Sequence, residues 1–349
     1  MVEAATRTSA KKTPARATAA RSTAKKTTTV KKTATVKKTQ ATTAAKKKAY
    51  SASAAKARRA RLARARAAAR ARELREVQTP RFITDADGNE VPDIRAAAAI
   101  IYNPQTNQVL WESNAQDQRS IASITKIMTA LVTFESGVDL SEEVVVTRPD
   151  VLRASTTYLR SGYKLTRDDL LHLLLIGSDN AAARVLARVS PYGSVGFVEQ
   201  MNIKAAELGL QSTHYADPSG LLAANVSSAY DMARLIAYVS ADERVGAIMR
   251  QASATVHAGA RTINVNSTNQ IVKTGDIEVL GGKTGFISRS GYCLATLLRL
   301  PQSGQQVAVV VLGAKSSAGR FWETRHLFNW FSGKASSLLG AAKSEQQQQ

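Results

Sequence analysis

The first 75 residues hold 23 lysines and arginines against two acids, Glu3 and Glu73, and almost no large apolar side chain. A stretch of that kind cannot bury enough surface to offset the entropy of ordering it, so it cannot build a hydrophobic core. The rest of the 349-residue chain carries 25 basic and 25 acidic residues. The formal net charge of +21 therefore belongs to the front, and a neutral body has to do the folding.

The front divides further. Residues 1–54 are Ala/Thr/Lys low-complexity sequence, with Thr29-Val30-Lys31-Lys32-Thr33 repeated as Thr35-Val36-Lys37-Lys38-Thr39. They are expected to be a disordered basic tail. Residues 55–84 turn to Ala and Arg, good helix formers without a continuous apolar stripe, and read as a basic helix and linker. Turn chemistry at Thr79-Pro80 and Asp85-Ala86-Asp87-Gly88-Asn89 places a boundary near 80–90. The folded domain is expected over 85–333, with 334–349 as a polar disordered tail.

Such a front is expected to contact an anionic polymer or surface, nucleic acid included. As a main function, nucleic-acid binding is the lesser reading, since no base-reading module or aromatic interleaving is present. No run approaches the roughly 18–20 apolar residues of a membrane span. No charged stub, apolar core and small-residue cleavage site mark an export signal either. The single cysteine, Cys293, sits in an apolar stretch and reads as a small core residue. The four histidines lack metal-ligand spacing, so neither a metal nor another cofactor is expected.

In the body, Ala96–Tyr102 and Gln108–Glu112 flank a turn and read as a hairpin. A helix is expected from Ser123, with Ile124, Ile127, Met128, Leu131 and Phe134 on one face and Gly137 as its stop. Thr166-Arg167-Asp168-Asp169 caps a helix over 170–176, and the polar Ser178-Asp179-Asn180 separates it from a second over 181–189. Further helices are expected near 194–208, 228–240 and 319–331, and strands near 278–286, 292–299 and 306–312. The aromatic stripe of the last helix (Phe321, Trp322, Phe328, Trp330) is expected to pack on the sheet. This order of elements predicts an α+β fold, an antiparallel sheet flanked by helices.

Three short motifs stand in order. Ser123 is followed by Lys126, which on a helix shares its face and can take the hydroxyl proton if it is kept neutral. Ser178-Asp179-Asn180 lies on a loop held by two helices, and Lys283-Thr284-Gly285 lies in a strand. Each motif has other copies. Ser-x-x-Lys recurs at Ser9, Ser22, Ser53 and Ser161, Ser-x-Asn at Ser267-Thr268-Asn269, and Lys-Thr-Gly at Lys273. The copy at Lys283 is preferred because a sheet edge can pair with substrate backbone, whereas Lys273 runs into a turn and reads as a solvated charge.

The ordered trio resembles the motif set of penicillin-binding and class A β-lactamase enzymes. With Leu174–Ala182, Asp217-Pro218-Ser219-Gly220-Leu221 and Gly282–Cys293, the likeness is to the low-molecular-mass penicillin-binding proteins, serine D-alanyl-D-alanine peptidases, and nearest to their endopeptidase branch. It covers roughly residues 90–332. The resemblance implies a β-lactamase/transpeptidase-like fold with a helical subdomain, and peptidoglycan stem peptides as substrates. It further implies β-lactams as covalent inhibitors and work in the periplasm or another exported compartment. The missing export signal then points to a mis-called or trimmed start. Larger relatives carry a second, β-rich domain and a C-terminal amphipathic anchor that this sequence does not show.

By the same resemblance Ser123 is the nucleophile and Lys126 its base. Ser178 relays a proton to the leaving amine, and Asn180 holds the substrate amide. Lys283 supplies a positive potential that keeps Lys126 unprotonated, Thr284 binds the substrate carboxylate, and Gly285 and Phe286 border the substrate. The backbone N–H groups of Ser123 and Phe286 form the oxyanion hole. A β-lactamase is the rival reading, and Glu207 is its candidate for activating water; Glu207 continues the pattern of a helix and reads as exposed.

Overall fold

The computed structural model describes residues 31–346, without the side chains of 31–50, 73, 77 and 336–346. The chain divides into two compact units, Met1–Ala69 and Arg70–Gln349. Helix α1 (Lys31–Gln78) makes up all of the described part of the first and continues to Gln78. Its side chains from Ser51 to Arg72 are exposed. It begins inside the segment expected to be disordered. The Ala, Lys and Arg content that denies this stretch a core does not deny it a helix, because these residues lose little freedom in one. Residues 1–30 of the expected tail lie outside the described residues.

After the end of α1, the second unit has a small ribbon, β1 (Phe82–Thr84) and β2 (Glu90–Pro92), around the expected turn. There the Asp85 carboxylate accepts the N–H groups of Asp87 and Asn89 at 3.0 and 2.8 Å. Then come the hairpin strands β3 (Ala98–Asn103) and β4 (Gln108–Ser113), short strand β5 (Arg119–Ser120) and helix α2 (Lys126–Glu135). The helical region follows: β6 (Glu143–Val145), α3 (Arg148–Val151), β7 (Lys164–Thr166), α4 (Arg167–Leu175), α5 (Asn180–Arg188) and α6 (Gly193–Glu207). After β8 (Val226–Ser227) come α7 (Ala229–Ala241), α8 (Glu243–Met249), the hairpin β9 (Ser253–Ala258) and β10 (Arg261–Asn266), and α9 (Gln270–Thr274). The chain closes with β11 (Val279–Ile287), β12 (Gly291–Arg299), β13 (Gln306–Ala314) and α10 (Ser317–Gln346).

The main sheet is antiparallel in the order β11-β12-β13-β3-β4, so β11 is an edge strand. Residues Val307 to Leu312 of β13 are all fully buried, because both faces of the sheet are covered. On one face Leu294, Val309 and Val311 pack with Phe321, Leu327 and Phe328 of α10. Phe321 and Phe328 of the aromatic stripe thus meet the sheet, as expected, and Trp330 packs at the margin of this core, whereas the partly exposed Trp322 lies beside Arg325. On the other, Ala295, Val310 and Leu312 share a core with Met232, Leu235 and Ile236 of α7 and with the helical region.

The α+β architecture agrees with the sequence reading; the short helices α3, α8 and α9 and the strand pairs β5–β8 and β6–β7 were not foreseen, and three further differences bear on the argument. The hairpin β9–β10 was not foreseen: its side chains are mostly polar, and pairing rather than an apolar pattern defines it. The closing helix runs to Gln346, through residues expected as a disordered tail. The helix expected from Ser123 begins only at Lys126.

Candidate active site

Ser123 lies in a single 3-10 turn, Ala122–Thr125, that leads into α2. In a 3-10 turn positions i and i+3 eclipse more closely than in an α-helix, so the turn sets Lys126 against Ser123. Ala122 enters it with φ +49°, a left-handed conformation that turns the chain sharply just ahead of the serine. The Lys126 Nζ then lies 2.9 Å from Ser123 Oγ.

Lys126 is fully buried. Its Nζ also donates to Asn180 Oδ1 at 2.7 Å and to the carbonyl of Ser219. Burial brings its pKa down from the usual lysine value to about 7; Asp217 and Asp179 pull it back upward and Arg184 pushes it down. The carbonyl and the carboxamide oxygen can only accept. Together they engage the two N–H bonds of a neutral amine and leave its lone pair facing the serine hydroxyl.

Ser178 and Asp179 join α4 to α5. Ser178 has φ +59°, which costs an L-residue roughly 1–2 kcal/mol and needs neighbours to hold it. Asp179 supplies them. Its Oδ1 caps α5 at Ala182 N (2.9 Å), while Oδ2 accepts from Thr157 Oγ1 (3.0 Å) and Tyr158 N (2.6 Å). Burial raises the pKa of this carboxyl, and those hydrogen bonds oppose the rise. Asn180 donates its amide to Ala154 O at 2.7 Å, which turns its oxygen toward Lys126.

Lys283 projects from the edge strand β11 and is also buried. Its Nζ donates to Ser178 Oγ at 2.7 Å and to the carbonyl of Thr284 at 3.0 Å. Burial holds its pKa well below the ordinary lysine value, with the charges of Lys126 and Arg320 acting in the same direction. Both lysines are thus lowered, and burial leads in each. The expectation that the Lys283 charge keeps Lys126 neutral needs that correction: removal from water is the leading cause, and the charge that adds to it is that of Arg184.

Thr284 Oγ1 meets Thr268 Oγ1 at 2.6 Å. Phe286 is 48% exposed and stacks on Tyr292, ring centroids 4.2 Å apart. The other Lys-Thr-Gly has no part in this: Lys273 is exposed in α9, and Gly275 ends that helix at φ +66°. Ser123, Ser178, Asn180, Thr284, Gly285 and Phe286 all line one cleft of about 450 Å³, with the ends of Lys126 and Lys283 beneath it. Glu207 is exposed at the end of α6, paired with Lys204 at 2.6 Å, and does not line the cleft.

Several residues at the site were not singled out from sequence. Thr268, set aside with the second Ser-x-Asn, lines the cleft and holds Thr284. Arg320 also lines it and donates to the carbonyls of Gly285 (3.1 Å) and Cys293 (3.4 Å); burial lowers its pKa to about 10. Asp217 accepts from Ser219 N, Gly220 N and Leu222 N at 2.6–2.7 Å, folding the loop that offers the Ser219 carbonyl to Lys126. Its turn-forming context was legible, but its role was not. A buried arginine from another element leaves no mark in local sequence.

A protein-family model described as D-alanyl-D-alanine carboxypeptidase matches residues 85–316. The chain is 31% identical over 262 residues to the D-alanyl-D-alanine endopeptidase of Escherichia coli, covering 74% of this chain and 84% of that protein. Among solved structures, the Streptomyces DD-transpeptidase is similar with a TM-score of 0.65 and 27% identity, covering 70% of this chain and 98% of that one. The D-alanyl-D-alanine carboxypeptidase of Mycobacterium tuberculosis is similar with a TM-score of 0.65 and 25% identity, covering 72% and 96%.

Proposed function

The chain belongs to the D-alanyl-D-alanine carboxypeptidase family, and from that premise we propose how its residues divide the work of cleaving a D-alanyl-D-alanine bond. It is a serine peptidase of the carboxypeptidase/endopeptidase kind, and its substrates are peptidoglycan stem peptides. The observation that carries the assignment of roles is the hydrogen bond between Lys126 Nζ and Ser123 Oγ, made by an amine whose pKa lies near neutrality.

Lys126 takes the proton of Ser123 as Oγ attacks the scissile carbonyl carbon. The carbonyl oxygen becomes an oxyanion held by the backbone N–H groups of Ser123 and Phe286, and losing one such donor costs about 10²–10³ in rate. The C–N bond then breaks. The proton passes from Lys126 through the Ser178 hydroxyl to the leaving amine, and Lys283 orients that hydroxyl. Asn180 holds the substrate amide and Thr284 its carboxylate. Water attacks the resulting ester, again giving its proton to Lys126, and Ser123 is released as the alcohol. A β-lactam runs the first half only, since its ring-opened amine stays tethered to the acyl group.

The exposed arginines of α1, among them Arg58, Arg59, Arg61, Arg64 and Arg66, support a second role for the first unit as a tether to an anionic polymer or surface. No described helix is long and apolar enough to cross a membrane. The proposed place of action is the periplasm or another exported compartment, where peptidoglycan lies.

The test is labelled penicillin. One acyl group is expected on the peptide containing Ser123, none in Ser123→Ala, and no sustained turnover of the drug. Labelling retained in that variant overturns the nucleophile, and rapid multiple turnover favours the β-lactamase reading.

A further inference from the structure

We propose a second binding site, for the amino-sugar chain of peptidoglycan, in a hollow at the end of the sheet opposite the catalytic cleft. The choice of polymer rests on the peptidase reading above; the site itself rests on its own chemistry.

The hollow, about 370 Å³, lies between the β3–β4 turn, the C-terminal half of α7 and the first residue of β13. Its lining includes the ring of Tyr238, the carboxamides of Gln105, Asn107 and Gln306, and, deeper in the protein, the buried Tyr102, Leu210 and Leu235. Tyr238 is 50% exposed. The Gln105 and Gln306 carboxamides make no hydrogen bond among the described residues. Tyr102 donates its hydroxyl to Asn107 Oδ1 at 2.7 Å, which leaves the Asn107 amide nitrogen to face a ligand.

The chemistry narrows the occupant. No carboxylate lines the hollow, so nothing in it would hold a metal ion or an organic cation. The one charged lining group, Arg234, is occupied: its guanidinium donates to the carbonyls of Gly209 and Leu208 at 2.8 and 2.9 Å, a poor arrangement for capturing an anion. A wholly apolar guest would strip water from three carboxamides and return no hydrogen bond, at about 1–3 kcal/mol for each. What fits is a neutral guest with an apolar face and a rim of hydroxyl and amide groups. An N-acetylated pyranose has both, one for the Tyr238 ring and the apolar lining and the other for the carboxamides.

The sheet sets the spacing. Gln306 opens β13, while Ala314 at its other end pairs with Tyr292, which pairs with Phe286 at the cleft. Nine residues of strand separate those ends by about 26 Å. A polymer held at both places is held more tightly than either site holds a fragment. A short peptide reaches only the cleft and gains nothing.

The probe is chitotetraose, an uncharged N-acetylglucosamine tetramer, titrated into the full ¹⁵N-labelled chain by calorimetry and NMR. Binding is expected, with amide shifts around Tyr238 and Gln306. It should be indifferent to salt, unlike any polyanion contact of the basic front. Tyr238→Ala and Gln306→Ala should each weaken it about tenfold, the size of a lost hot-spot contact. Both variants should raise KM on intact sacculi severalfold and leave kcat/KM on a glycan-free D-alanyl-D-alanine peptide unchanged. The proposal is overturned if no heat and no shifts appear at about 10 mM tetraose, an affinity too weak to matter. It is equally overturned if the shifts fall at the cleft, or if both variants bind as the parent does. Failure of penicillin to acylate Ser123 would remove the peptidase reading while leaving tetraose binding intact, so the two failures are distinguishable.

Discussion

Gly285 packs so tightly on Ile121 that a Cβ at Gly285 would lie 2.6 Å from the Ile121 carbonyl oxygen. The edge strand β11 and the turn bearing the nucleophile thus meet backbone to backbone, with Ile124 N 3.3 Å from the same point. The glycine of the Lys-Thr-Gly motif is therefore a spacing element. Gly285→Ala is expected to push the strand from the turn and lower acylation by labelled penicillin by about 10²-fold, as a 1 Å misplacement does. Circular dichroism should remain that of a folded protein. An unchanged acylation rate would mean that the close approach is not needed for catalysis.

Acylation needs Lys126 without its extra proton. With its pKa near 7, the rate should climb through neutrality and level off above pH 8 or so. Asp217 is the largest influence holding that pKa up. Asp217→Asn should therefore move the rising limb to lower pH, even as the loop it folds loses hydrogen bonds and the plateau falls. A limb that stays in place, read by stopped-flow acylation, would refute the electrostatic role.

The same lysine ties stability to pH. Its folded pKa is lowered, so between about 7 and 10.5 the unfolded chain binds the extra proton and the folded chain does not. Stability due to this group must then rise with pH across that window. Relative to Lys126→Met, the parent should gain roughly 3–5 kcal/mol between pH 7 and 10.5, because each tenfold difference in proton affinity is worth about 1.4 kcal/mol. Urea unfolding of both proteins at several pH values measures the difference.

Lys283→Ala should lower acylation about 10²-fold, because it leaves the Ser178 hydroxyl without the partner that orients it. Lys273→Ala should leave it within about twofold, since an exposed charge remote from the chemistry contributes little. Equal losses in the two variants would reverse the choice between the motifs.

Removal of residues 1–69 should leave the acylation rate within about threefold and sharply weaken binding to sacculi or DNA at low salt, since counterion release follows the basic charges. Co-sedimentation at two ionic strengths, with and without the segment, tests it. Loss of acylation by a truncated chain that remains folded would show that the segment belongs to the catalytic machinery.

The sequence by itself determined the charge partition, the α+β order of elements and the three motifs, because those are local. A run of lysines needs no partner to be cationic, and apolar periodicity reports which face is buried. It also selected Lys283 over Lys273, since a strand and a helix end differ in their immediate neighbours. Only the tertiary structure decided what the motifs do to one another. The fall of the Lys126 pKa to about 7 depends on burial created by α2, α5 and the Asp217 loop, brought together from positions up to 93 residues apart. Thr268 reaches the cleft from the Ser-x-Asn copy that was set aside, Arg320 from a helix with no motif of its own, and Ser178 keeps its left-handed backbone through hydrogen bonds made by Asp179 to residues more than 20 positions away. Burial and long-range hydrogen bonding belong to the packed chain, and no window of sequence contains them.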